Sequence, residues 1–431
     1  MSTENIPTKI ASNAELQPTR RRFFIVAVLF IGIMVAYLDR VNVTVLAAND
    51  NFLLDMGIKG QPVQIGMMMS AFLAAYGLAN VTLSPLGDYL GPRKAMVFCI
   101  VLWTISLFIG GFAISFSMFI IARILLGIGE GFYYPMQSLF IKNWFPPQER
   151  GRANATWIIG QSLAPAIAMP VFTYIIGSYS WRDTFFICIA LGLIPLYLLW
   201  FHTKDTPRES EKVNALELEY IEEGLAKENA PAGDKQSFLQ RVKPFALNYR
   251  YWLLVFWYVC LQFMFWGLVS WLPTYLKSAR NFSWTEMGWM ASLPFILTVM
   301  TKAVNGWLND RIGRSAPLLC VTMLLGASSI YLAATVPGKY LSAILLSCAF
   351  GFTSMATSSA WTLLQGLVPA KSLSTAAGTM NGLATGFSSL SPVVIGFFIS
   401  LSGSYSTGLL CLVGVGFLAA VIAAVLVAHK Y

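Results

Sequence analysis

Charge is what this chain has least of. Only 11% of its 431 residues are Asp, Glu, Lys or Arg, against about 25% in a soluble domain. With 56% apolar residues and a mean hydropathy of +0.64, a soluble enzyme with one anchor is excluded. Histidine is nearly missing: His202 and His429 both sit at helix ends, which excludes a histidine relay or metal cluster inside a membrane. Cysteine is sparse too. Cys99, Cys188, Cys260, Cys320, Cys348 and Cys411 all fall in apolar runs, where cysteine acts as a small hydrophobe. No disulfide, metal site or cofactor is expected. Nor is there a nucleophile–base pair or phosphate loop, so the chain does not read as an enzyme. A cleavable leader is not expected either. Residues 1–19 are polar, Arg20, Arg21 and Arg22 follow, and the next apolar run outlasts a signal core.

What is present is a succession of apolar runs near 20 residues, the length that crosses a bilayer core of about 30 Å as a helix. Twelve spans are predicted, at 23–47, 63–86, 95–114, 117–143, 152–177, 183–202, 251–277, 286–308, 317–336, 340–366, 373–400 and 406–428. The formal net charge of +9 comes from Lys and Arg gathered in alternate loops. That pattern places both termini in the cytoplasm and makes nucleic acid an unneeded partner. Trp181, Trp200, Trp252, Trp271 and Trp284 lie near span ends and read as interfacial anchors.

The chain is internally duplicated. Asp88 and Gly91 in Ser84–Lys94 are matched by Asp310 and Gly313 in Gly306–Arg314, 222 residues later. Pro147 then matches Pro369, Gly160 matches Gly382, and Pro170–Val171 matches Pro392–Val393. Two six-helix halves with a cleft between them are a common transporter plan. The expected organisation is a tail (1–22), a first half (23–202), a linker (203–249) and a second half (250–428). The linker reads as a solvated tether with one short surface helix, Leu216–Gly224, ended by its glycine.

A charge at mid-bilayer costs at least about 2.5–3.5 kcal/mol, so such residues are candidates for function. Asp39 and Arg40 lie in the first span, Arg123 and Glu130 in the fourth, Lys302 in the eighth. Asp39 and Arg40 point about 100° apart, and Arg123 and Glu130 lie about 10.5 Å apart along one face. Each therefore needs a partner on another helix. Asp39 is expected to pair with Arg123, leaving Arg40 and Glu130 facing the cavity. Low dielectric favours the proton-bearing form of a carboxyl group, and neutralising one here frees an arginine for an anion. Lys302 reads either as snorkelling to the surface or as a second anion contact. Gly127, Gly129 and Gly131 suit close helix packing and leave space around Glu130. Hydroxyls in Thr353–Trp361, and Asn381 with its neighbours, suggest a water-lined face; Ser358 and Trp361 share it. Tyr76 and Gln161 are lone polar groups in apolar runs.

These residues resemble the major facilitator superfamily. Gly306, Asp310, Arg311, Gly313 and Arg314 complete its loop signature, while the first copy keeps Asp88, Gly91 and Arg93 but has Ser84 and Tyr89 where glycine and arginine are usual. Within it, Tyr37–Leu38–Asp39–Arg40, Arg123 through Glu130 with its paired glycines, and Ser270–Leu276 resemble the anion:cation symporters, which carry galactonate, glucarate, hexuronates or phthalate and include the sialin group. The resemblance implies an all-α, twelve-helix fold in a cell membrane, specifically a bacterial inner membrane. It implies proton-carrying acids at Asp39 and Glu130, with Arg123 beside the first. It also implies substrate contacts at Tyr37, Arg40, Tyr76, Gln161, Ser358, Trp361 and Asn381. Lys302 has no charged counterpart there and marks a different or additional anionic group. The function expected is import of a small organic anion with protons by a monomer, through alternating access. The rivals are a proton-driven drug exporter, which the arginines argue against, and a non-transporting sensor.

Overall fold

The computed structural model describes residues 17–83, 86–228, 238–312 and 314–428. The side chains of Asp88, Asp310 and Ser358, together with Gly306 and Gly313, lie outside the described residues. Every element is helical, as it must be where no water can satisfy a backbone amide. In order they are α1 (Arg21–Leu46), α2 (Asp50–Asp55), α3 (Pro62–Leu83), α4 (Leu86–Leu90), α5 (Pro92–Gly111), α6 (Phe116–Gly131), α7 (Tyr133–Trp144), α8 (Pro147–Ile158), α9 (Gly160–Ser178) and α10 (Trp181–His202). After them come α11 (Ala215–Glu228), α12 (Phe238–Ala246), α13 (Tyr249–Thr274), α14 (Trp284–Ile312), α15 (Ala316–Thr335), α16 (Lys339–Leu367), α17 (Ala370–Ser388), α18 (Ser391–Ser402) and α19 (Tyr405–Ala428).

Among the described residues, eleven helical segments are long and apolar enough to cross a membrane. The 29-residue α14 stands where the eighth span is expected. Three spans are broken: α6 gives way to α7 at Phe132, α8 to α9 at Ile159, and α17 to α18 at Ser389–Leu390. Local sequence fixes many starts. Pro92 and Pro147 occupy first-turn positions, where the missing amide costs nothing. Ser180 and Asp183 form a capping box at the head of α10.

The duplication reappears in the packing. The α3–α6 contact of the first half is repeated by α14–α16 in the second, α5–α10 by α15–α19, and α1–α9 by α13–α17. Between halves, α9 lies along α14, and α3 along α17 and α18. On the side opposite the termini these contacts are backbone-close. A Cβ at Gly66 would stand 2.4 Å from the Pro392 carbonyl oxygen, and one at Gly396 would stand 2.4 Å from that of Pro62. Trp284 Nε1 donates to the Thr173 carbonyl at 2.7 Å, and Lys277 Nζ to that of Ala48 at 2.8 Å. The structure is therefore closed on this side.

Two expectations need correcting. Trp181 and Trp271 are not interfacial anchors: both are buried and donate, to Asp55 and to the Pro392 carbonyl. The linker is also more than a tether. Its helix runs past Gly224 to Glu228, because Gly224 serves close approach to Pro146 rather than termination. Ile221 and Glu217 of this helix are wholly buried against the first half.

Candidate substrate site

Three helices bring the expected charges together. α1 supplies Tyr37, Asp39 and Arg40, α3 supplies Tyr76, and α6 supplies Arg123 and Glu130. Arg40 Nε donates to Glu130 Oε2 at 2.6 Å, with the arginine 8% and the glutamate 1% exposed. Aromatic rings enclose the same guanidinium: Tyr37 lies 4.5 Å, Tyr76 4.6 Å and Phe72 5.4 Å from it. Tight seating of α6 on α3 makes this possible. Gly127 meets the Phe72 carbonyl oxygen and Gly131 that of Tyr76, so any side chain at either would part the helices. Glu130 Oε1 has no protein partner.

The pairing expected for Asp39 is not found. Arg123 turns its Nε to the Met68 carbonyl at 3.1 Å and stacks 4.6 Å from the Phe72 ring. Asp39 is 1% exposed, and neither of its oxygens accepts a hydrogen bond. The Cys188 thiol and the Arg123 guanidinium are among the groups that face it. The Met68 carbonyl, not the Asp39 carboxylate, accepts from Arg123 Nε. Arg40 and Glu130, expected both to face the cavity, instead form the direct ion pair, and Glu130 is not part of the cavity lining.

Arg40 opens onto a cavity of about 50 Å³ at the junction of the halves. Of the expected site residues, Tyr37, Arg40, Gln161 and Lys302 line it. Trp361 is not on this wall; its ring stacks edge-on at 6.0 Å against Tyr258. Asn381 is likewise absent from the lining, half-buried on α17. Sequence reasoning missed Ser162, Phe265, Trp266, Phe295, Thr298 and Ser354, all of which contribute. Ser354 was within reach of the argument, since it lies one turn before Ser358 on one face of α16. The aromatic residues gave no signal distinguishing cavity wall from core. Thr298 Oγ1 donates to Ser162 Oγ at 3.3 Å, tying α14 to α9 beside the cavity.

The first copy of the loop motif draws on a linker residue. Gly91 adopts φ +78°, and a Cβ there would stand 2.8 Å from the Asp205 carboxylate. That carboxylate accepts from Arg93 N at 2.7 Å and so caps α5, a role no spacing in the sequence announced. Burial pushes the Asp205 carboxyl above the usual range, against the opposing pull of the Arg93 amide. Arg93 Nη2 donates to the Trp200 carbonyl at 2.9 Å. Arg311 and Arg314 are exposed at the end of the second copy.

A Major Facilitator Superfamily sequence profile matches residues 29–392 and 280–430. The chain belongs to that superfamily. It is thus a multi-pass membrane protein of a transporter family, not an enzyme. It is 31% identical to the probable sulfoacetate transporter SauU of Cupriavidus necator, with 94% of each chain covered. It is 26% identical to the D-galactonate transporter of Escherichia coli O6:H1, over 88% of this chain and 90% of that one. Among solved structures, a bacterial homolog of the human lysosomal transporter Spinster superposes with a TM-score of 0.79 at 16% identity, covering 94% of this chain and 96% of that one. The relatives are organic-acid transporters.

Proposed function

We propose that this protein imports a small organic anion together with protons, by alternating access between its two halves. The observation that carries the reading is the buried Arg40–Glu130 ion pair at the wall of the cavity between those halves. While the pair is intact, the guanidinium is occupied. A proton on Glu130 removes its partner, and a buried arginine left unpaired is costly. A carboxylate entering the cavity restores the compensation. Its planar pair of oxygens suits the guanidinium fork, which Tyr37 and Tyr76 hold in place. Asp39, which bears no ion pair, takes and releases a proton without breaking one.

Two relatives named for sulfoacetate and galactonate support a carboxylate as the common element. In this reading the tail and linker face the cytoplasm, and the closed side, with Asp50, Gly66 and Lys277, faces outward. The halves 23–202 and 250–428 then rock about the site as units, joined by residues 203–249. Reconstitution into vesicles tests this. An inside-alkaline pH gradient is expected to drive accumulation of sulfoacetate, galactonate or a related acid above its outside concentration. Uptake that only equilibrates, gradient or none, contradicts proton coupling.

A further inference from the structure

We infer that the ligand is a compact dianion, gripped by Arg40 of the first half at one end and Lys302 of the second half at the other. The inference rests on the transport reading and names the substrate class for the same site. Arg40 and Lys302 lie on different halves yet line one cavity, and no carboxylate is part of its lining. Among the described residues Lys302 makes no ion pair. Once Glu130 is neutralised the wall carries two positive charges facing one small space, and a monoanion answers only one of them. Ser354 adds an independent sign of a polar ligand: its hydroxyl is 3% exposed, has no hydrogen-bond partner and belongs to the same wall.

The apolar part of the wall argues against a long polyol chain. The side chains of Val41, Pro165, Phe265, Val269 and Phe295 offer no hydrogen bonds. A chain of hydroxyls placed against them would leave its water behind without replacement. Of the positions that match substrate contacts in sugar-acid transporters by resemblance, Trp361 and Asn381 stand away from this wall, while Tyr37, Arg40 and Gln161 are on it. A ligand with an acidic group at each end and little between them matches the two cations and the apolar sides together. It also joins the halves through its own charges, so its binding favours the arrangement in which both cations reach it.

The test is equilibrium binding to the purified full-length protein, using malonate, sulfoacetate, acetate and galactonate as probes. A second charge-assisted contact is expected to make malonate or sulfoacetate bind at least about tenfold more tightly than acetate or galactonate. Lys302→Gln is expected to bring the dianions down to within about twofold of acetate, while Lys302→Arg keeps the preference. Equal binding of acetate and the dianions to the unaltered protein overturns the inference, as does tighter binding of galactonate. So does an undiminished preference in a folded Lys302→Gln variant. Absence of the preference alongside Glu130-dependent, pH-driven uptake overturns this inference alone. A Lys302-dependent preference in a protein that accumulates nothing against a gradient supports it and overturns the transport reading.

Discussion

Lys277 Nζ donates to Asp50 Oδ2 at 2.7 Å, tying the helical turn that follows α13 (Tyr275–Ala279) to the start of α2 and so the second half to the first. Lys59 adds a contact to the other oxygen at 3.2 Å. The Lys277 hydrogen bond holds the Asp50 carboxyl below the usual carboxylate range, aided by the charges of Lys277 and Lys59 and opposed by partial burial. A depressed acid constant means the contact contributes fully above the ordinary carboxylate value and is lost as pH falls through the lower one. Both side chains are substantially exposed, so Asp50→Asn is predicted to cost no more than about 1 kcal/mol. The difference in melting temperature between the two proteins is expected to stay constant from about pH 8 to pH 5 and to shrink below about pH 4. A difference that changes between pH 8 and pH 6 contradicts this account of the closure.

Glu217 is a second cross-link, on the other face of the molecule. Its Oε1 accepts from Arg22 Nη1 at 2.9 Å, and its Oε2 from Thr19 Oγ1 at 2.6 Å and Arg21 N at 3.0 Å. Arg22 also reaches Glu149 at 2.9 Å, which in turn accepts from Tyr220. Removing a wholly buried carboxylate strands these donors, so Glu217→Ala is predicted to destabilise the fold by about 3 kcal/mol. Thermal melting measures this, and limited proteolysis is expected to cut within 215–228 faster in the variant. Unchanged melting and cleavage contradict a docked linker helix.

Backbone contact at Gly66 gives a third prediction. Gly66→Ala places a methyl group 2.4 Å from the Pro392 carbonyl oxygen, and neither backbone can yield cheaply. Overpacking of this kind costs about 1–3 kcal/mol. Because the contact belongs to the closed arrangement, the variant is expected to shift toward exposure of that side and to slow uptake roughly tenfold. Labelling of a cysteine introduced at Ala48 reads the shift; labelling equal to that with Gly66 intact contradicts it.

Most of the fold was legible because a bilayer leaves few options. Apolar runs of spanning length, proline and glycine punctuation and the repeated Asp88 and Asp310 loops suffice to place twelve spans in two halves. The broken spans were less visible, since Gly131 beside Phe132 and Gly160 beside Ile159 suit close helix packing as well as a helix junction. At the site, the rarity of charge within the spans singled out Asp39, Arg40, Arg123, Glu130 and Lys302 as a set to be explained. Their pairing was not legible. Helix spacing fixes which way a side chain points but not how far a neighbouring helix stands, and a backbone carbonyl at Met68 competes for Arg123 without any trace in the sequence. Asp205 was hidden for a similar reason: a linker residue becomes a helix cap only once the chain has folded back. Trp361 and Asn381 came from polar helix faces and from resemblance to sugar-acid carriers, and in this chain Ser354 and Phe265 stand on the wall instead.

The central claim is that Glu130 holds Arg40 until a proton replaces it. Glu130→Gln tests this most directly in vesicles loaded with substrate, by comparing exchange across the membrane with accumulation driven by a pH gradient. A side chain that is always neutral is predicted to leave Arg40 open to the anion, so exchange persists while gradient-driven accumulation disappears. Accumulation by the variant at the unaltered rate and extent would contradict the claim.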